Sequence, residues 1–204
     1  MGSAMFDVAL RRLVDPALFR IARVLAGARF SANALTITGA AIGLGAAFFI
    51  TQAHYSAALM CIVLNRLFDG LDGAIARING PTDFGGYLDS LCDFLFYVSV
   101  PVAFGIISAN NQMPALALVA SFTLTAVSFL GYAAIAARRN DDDGAHGPKA
   151  FIYSTGLMEG GETIAFFLLF CLFPAFFPTL ALIFAALCIL TVAQRVALAA
   201  KSFR

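Results

Sequence analysis

Four aspartates, Asp69, Asp72, Asp89 and Asp93, interrupt long apolar stretches, and their spacing marks them as a candidate reaction centre. An ionised carboxylate within a bilayer span is costly, so each one is a functional candidate by default. Asp69 and Asp72 are spaced i,i+3 and Asp89 and Asp93 i,i+4, so each pair shares one face of its helix. At about 1.5 Å per residue, Asp72 and Asp89 lie roughly one to two turns in from the turn at 78–83, and Asp69 and Asp93 roughly two to three. The pairs are mirror-placed, and antiparallel neighbouring helices would bring all four together.

Clustered carboxylates repel one another, and a divalent cation removes the conflict. Oxygen-only ligands favour Mg²⁺, Mn²⁺ or Ca²⁺ over zinc. Four carboxylates are enough for two ions, an arrangement suited to clamping both sides of a phosphoryl displacement. The competing use of buried aspartates is to cap backbone or to pair with arginine. Gly70 and Gly73 thin the helix beside the carboxylates, either to admit a substrate or to allow close helix packing. Ala76 keeps the next turn small. Arg77 is placed to take a diphosphate oxygen pair with its guanidinium fork, or to serve as a cytoplasmic anchor.

The elements that must position these residues are membrane helices. Apolar residues make up 61% of the 204 positions and charged residues 12%, and the mean hydropathy is +0.87. Soluble domains carry about 45–50% apolar and about 25% charged residues. With a net charge of +1 and no basic stripe interleaved with aromatics, nothing points to a nucleic-acid partner. Cys61, Cys92, Cys171 and Cys188 lie in apolar segments without CxxC pairing and read as small buried hydrophobes. No signal peptide is read at the N-terminus.

Residues 1–30 read as an amphipathic segment lying in the headgroup plane, with Arg11, Arg12, Arg20 and Arg23 interrupting its apolar stripe. Six spanning helices are expected near 31–52, 55–79, 84–108, 112–138, 150–173 and 178–200, making residues 31–204 one all-α transmembrane domain. The basic residues cluster before the first span, after the second and fourth, and around the end of the sixth. The connections at 52–55, 108–112 and 173–178 contain no Lys or Arg. Both termini and the aspartates are therefore expected on the cytoplasmic side of a multi-pass membrane protein of bacterial inner-membrane type. The loop at 138–149, with Asp141, Asp142 and Asp143, reads as a solvated turn.

Residues 69–93, DGLDGAIARINGPTDFGGYLDSLCD, closely resemble the signature of the CDP-alcohol phosphotransferase family, D-x2-D-G-x2-A-R followed by G-x3-D-x3-D. Asp69, Asp72, Gly73, Ala76, Arg77, Gly85, Asp89 and Asp93 fill its fixed positions, with a spacer between Arg77 and Gly85 one residue shorter than the family pattern. Asn33 and Thr36 resemble the family's Asn-x-x-Thr near the nucleotide. The resemblance implies six transmembrane helices, an interfacial N-terminal helix and a homodimer. It implies two divalent ions, Mg²⁺ or Mn²⁺, on the four aspartates, with Asp93 as general base. Asn33, Thr36, Gly73, Ala76, Arg77 and Gly85 would hold the cytidine diphosphate. The implied reaction is phospholipid synthesis: transfer of a phosphatidyl group from a CDP-linked lipid such as CDP-diacylglycerol to an alcohol, with release of CMP.

The acceptor is less legible. LDSLCDFLFYVSVP, with Pro101 eight residues after Asp93, resembles the phosphatidylserine synthase branch. Glu159 and Glu162 are expected to face an acceptor with an amino or hydroxyl group, or else to pair with Lys149 or Arg66. Arg66 and Lys149 are candidates for binding an acceptor phosphate. A cation-binding transporter is the competing class. It favours midplane charges on broken helices, whereas these aspartates crowd the cytoplasmic end and Gly73 and Arg77 would have no role.

Overall fold

The computed structural model describes residues 18–28, 30–143 (140–143 by backbone alone), 158 and 160–203. Every regular element among them is helical. Residues 18–27 form α1. It is followed by α2 (Ala32–Thr51), α3 (Tyr55–Asn79), α4 (Asp83–Ile107), α5 (Ala109–Asp143), α6 (Gly160–Leu172), a short 3-10 turn (Pro174–Phe176) and α7 (Phe177–Ser202). Four of these, α2, α4, α5 and α7, are long and apolar enough to cross a membrane. α3 has a similar length but carries Arg66, Asp69, Asp72 and Arg77, and the described part of α6 is short and apolar.

The chain is an all-helical, multi-pass membrane protein. Large apolar residues face outward on the long helices, among them Phe48, Met60, Ile106, Leu116, Leu182 and Val196. A helix apolar on both its inner and outer faces is what lipid outside and packing inside require. The inner faces meet in a phenylalanine-rich core, with Phe104 stacked on Phe177 at 4.5 Å and Phe166 on Phe184 at 4.5 Å.

The helices close into a ring. α2 packs on α3 and α4, α4 on α5, α5 on α7, and α6 bridges α7 back to α3. α3 and α4 adjoin in sequence, yet each packs chiefly on α2 rather than on the other. Two small residues on α2 make this possible. A Cβ at Gly43 would meet the Phe96 ring at 2.7 Å, and one at Gly39 would meet Phe68 Cβ at 3.2 Å. Glycine at these positions lets both partners approach the α2 backbone, and a cleft is left between α3 and α4.

α5 differs from its expected extent, because its backbone stays helical through Asp143 instead of stopping near 138. No Pro or Gly interrupts 138–143, and Arg139 is anchored to the C-terminal end of α7, donating to the carbonyls of Ser202 (3.0 Å) and Phe203 (3.5 Å). Lys149, Glu159 and the second half of the expected polar loop (144–149) lie outside the described residues.

Candidate active site

A short turn sets the register of the signature. α3 ends at Gly80, whose φ of +95° suits glycine. Thr82 caps α4, its hydroxyl accepting from the Gly85 N–H at 3.1 Å. From this turn the two helices run back into the bundle and bring their aspartates to similar depth.

Carboxylate oxygens of Asp69, Asp89 and Asp93 lie within 4.8 Å of one another. All four aspartates line one narrow cleft together with Thr36, Asn65, Arg66 and Cys92. Asp72 is held differently from the other three. It is buried, and its carboxylate accepts a hydrogen bond from the Thr36 hydroxyl at 2.5 Å. Thr36 therefore touches a carboxylate of the signature while also lining the cavity expected to take the nucleotide.

Arg66 stands inside the cluster. Its guanidinium pairs with Asp93 at 2.8 Å and Asp69 at 3.5 Å. Two of its N–H groups donate to the Asn65 side-chain oxygen at 2.9 and 2.8 Å, and its carbon centre lies 5.3 Å and 5.7 Å from the rings of Phe96 and Tyr97. Arg66, a candidate for an acceptor phosphate, pairs here with two of the aspartates.

Two cavities open on the cleft. One, of 420 Å³, is lined by Asn33, Thr36, Asp72, Gly73, Ala76 and Gly85, along with the 80–82 turn and Asp89. The other, of 350 Å³, lies between α4, α5, α6 and α7, where Asp89, Asp93, Tyr97, Thr125, Thr163 and Arg195 contribute to its wall. Asp89 borders both cavities and the cleft.

Five of the six residues expected around a nucleotide diphosphate thus share the first cavity. Arg77 is not among its lining residues; its guanidinium lies 5.2 Å from the Phe19 ring of α1. A Cβ at Gly70 would meet the end of the Leu18 side chain of α1 at 2.9 Å. Glu162 lies in the first turn of α6, but the residues that α6 turns into the second cavity are Gly160 and Thr163. Arg195 is the residue that sequence reasoning missed. It reads there as a basic anchor at the end of the last span, yet it is buried, donates to the Thr125 carbonyl at 3.0 Å and to Ser128 Oγ at 3.3 Å, and borders the second cavity. An arginine within the apolar run LTVAQRVALAA is the available signal.

The family model of CDP-alcohol phosphatidyltransferases matches residues 29–200. The chain belongs to this family. It is 47% identical to the inner membrane protein YnjF of Escherichia coli (strain K12) over 195 residues, covering 94% of each chain. It is 36% identical over 92 residues to archaetidylinositol phosphate synthase of Pyrococcus horikoshii, covering 45% of this chain and 49% of that one. The fold is similar to the crystal structure of Mycobacterium tuberculosis phosphatidylinositol phosphate synthase (PgsA1) with CDP-DAG bound. That match has a TM-score of 0.63 and 24% identity over 88% of this chain and 92% of that one. The same enzyme in complex with manganese and citrate gives a TM-score of 0.66 at 20% identity, over 88% and 87% of the two chains.

Proposed function

We propose that this membrane enzyme transfers a phosphatidyl group from a CDP-linked lipid to the hydroxyl of a small alcohol whose body carries an anionic group. The observation that carries this reading is the position of Asp89, where a cavity built from the nucleotide signature meets a second cavity bordered by Asp93. Two cavities meeting at one carboxylate suit a displacement in which the acceptor arrives on one side of the phosphorus and CMP leaves on the other.

Asn33, Thr36, Gly73, Ala76 and Gly85 hold the cytidine diphosphate in the first cavity, with Arg77 swinging from Phe19 to its phosphates. Asp93 takes the proton from the acceptor hydroxyl, a role that needs a carboxylate within hydrogen-bond reach. The donor set fits a hard divalent cation, because three carboxylates from two helices converge and, among the described residues, no histidine joins them. Asp69, Asp72, Asp89 and Asp93 would hold Mg²⁺ or Mn²⁺, two ions at full loading, which would neutralise the diphosphate charge. PgsA1 has been solved with CDP-DAG and with manganese, which supports both substrate and ion.

The second cavity takes the acceptor, and its cation among the described residues is Arg195. The Arg195 guanidinium, on the wall shared with Thr125 and Thr163, favours an acceptor that carries an anionic group, such as serine or glycerol 3-phosphate, over choline or unphosphorylated inositol. The serine-branch resemblance of residues 89–101 is compatible with this class and does not choose within it.

In the same reading α3 and α6 complete six spans, residues 1–30 lie along the membrane surface, and residues 31–204 form the catalytic domain. Both termini and the site face the cytoplasm of a bacterial-type inner membrane, and the enzyme works as a homodimer. The Lys and Arg placement supports the sidedness, and YnjF, itself described as an inner membrane protein, supports the compartment.

Detergent-purified protein with CDP-diacylglycerol, Mn²⁺ and a panel of serine, glycerol 3-phosphate, inositol phosphate, inositol and choline is expected to release CMP fastest with an anionic acceptor. No CMP with any acceptor, together with metal-driven ion flux in liposomes, would favour a transporter instead. Arg195→Met is expected to raise the acceptor KM by about 10- to 100-fold, the range for losing a hydrogen bond to a charged group, with the KM for the CDP-lipid unchanged. Equal effects on both KM values would remove Arg195 from the acceptor side.

A further inference from the structure

The mechanism above has no task for Arg66, although this is among the most heavily engaged side chains in the bundle. It is not one of the fixed signature positions, and it does not behave like an arginine reaching for the membrane surface. Its side chain is largely buried, at 20% exposure, against the adjoining rings of Phe96 and Tyr97. Its position is fixed from behind as well. Asn65, whose oxygen accepts from Arg66, is itself buried and pinned to α2 by donating to the Gly39 carbonyl at 2.8 Å.

From that platform the fork reaches Asp93 on α4 and Asp69 on its own helix. These are two of the three carboxylates that converge within 4.8 Å. The guanidinium thus places one positive charge on two of the carboxylates that a divalent ion would need. Without a cation the carboxylates would repel one another and push α3 and α4 apart. With Arg66 they are neutralised in part, and Asp93 is held pointing into the cleft.

We infer that Arg66 is a built-in counter-ion and positioning residue. It keeps the carboxylate cluster assembled when metal is absent, and it competes with divalent metal for Asp93 and Asp69, lowering the affinity of the site. The inference rests on the metal reading given above. It has a signature that a merely structural role lacks, in that removing Arg66 strengthens metal binding. A side chain that only supported the fold would, when removed, loosen the cluster and weaken it. The electrostatics fix the sign, because taking a positive charge away from a few ångströms makes the remaining negative charges more attractive to a cation.

The test measures Mn²⁺ binding to the full-length protein in detergent, without substrate, by isothermal titration and by loss of the free Mn²⁺ signal in electron paramagnetic resonance. Arg66→Met, which preserves bulk against Phe96 and Tyr97, is expected to lower the Mn²⁺ Kd at least tenfold. Arg66→Lys keeps the charge but not the fork, and is expected to fall between Arg66→Met and wild type. If Arg66→Met does not fold, Arg66→Lys alone decides, with a Kd two- to fivefold below wild type expected. An unchanged or raised Kd in a folded variant overturns the competition, while wild-type Mn²⁺ binding leaves the metal reading standing. Absence of Mn²⁺ binding in the wild type and in both variants overturns the metal reading and this inference together.

Discussion

Asp93→Asn is expected to lower turnover by about 10³-fold or more while leaving binding of the CDP-lipid close to wild type. The substitution keeps the size of the side chain and its ability to accept a hydrogen bond from Arg66. It removes the charge and the capacity to take a proton, and general-base catalysis alone contributes about 10²- to 10⁴-fold. Binding is spared because Asp93 borders the second cavity and the cleft but is not part of the wall of the nucleotide-side cavity. CMP release under single-turnover conditions gives the rate, and titration with CDP-diacylglycerol in mixed micelles gives the affinity. A variant within tenfold of wild type in rate would show that the proton leaves by another route. A variant with normal chemistry but lost CDP-lipid affinity would show that Asp93 belongs to the nucleotide side.

Asp89→Asn is expected to damage both functions. Asp89 lies four residues before Asp93 on the same face of α4, and it is the aspartate that reaches all three spaces. Losing its charge removes one of the three converging metal donors, as Asp93→Asn also does, but here it changes the wall of the nucleotide-side cavity as well. Turnover is expected to fall about 10³-fold, a loss of the size seen when one preorganised electrostatic contact to a developing charge is removed. Mn²⁺ and CDP-lipid binding are expected to weaken together. The contrast with Asp93→Asn is the informative part. One substitution silences chemistry at nearly constant substrate binding, and the other loses both. Matching binding profiles for the two variants would mean that the two cavities are not functionally distinct.

Part of this site is legible in the sequence. Asp69, Asp72, Asp89 and Asp93 declare themselves by chemistry and period, since charges within apolar helices are expensive and spacings of three and four share a helical face. The convergence of Asp69, Asp89 and Asp93 agrees with that reading. Asn33, Thr36, Gly73, Ala76 and Gly85 were legible through family resemblance, and they line one cavity. The signals weakened where contact depends on distant segments. Arg66, in the middle of the second span, and Arg195, near the end of the sixth, each show only a basic residue in an apolar run, and nothing local tells which carboxylate or cavity each will meet. Arg66 finds Asp93 across 27 positions, and Arg195 finds Thr125 across 70.

The sequence by itself determined the solvent, the family and which carboxylates are candidates for the reaction, because hydropathy, helical period and motif spacing are local properties. The tertiary structure alone decided how those carboxylates are divided. α2 inserts its glycines between α3 and α4, so the aspartates meet across a cleft rather than along a helix seam. Thr36 takes Asp72, Arg66 takes Asp93 and Asp69, and Asp89 is left at the junction of two cavities. These assignments follow from which side chains the closed ring of helices brings within hydrogen-bond distance, and spacing along one chain does not encode that.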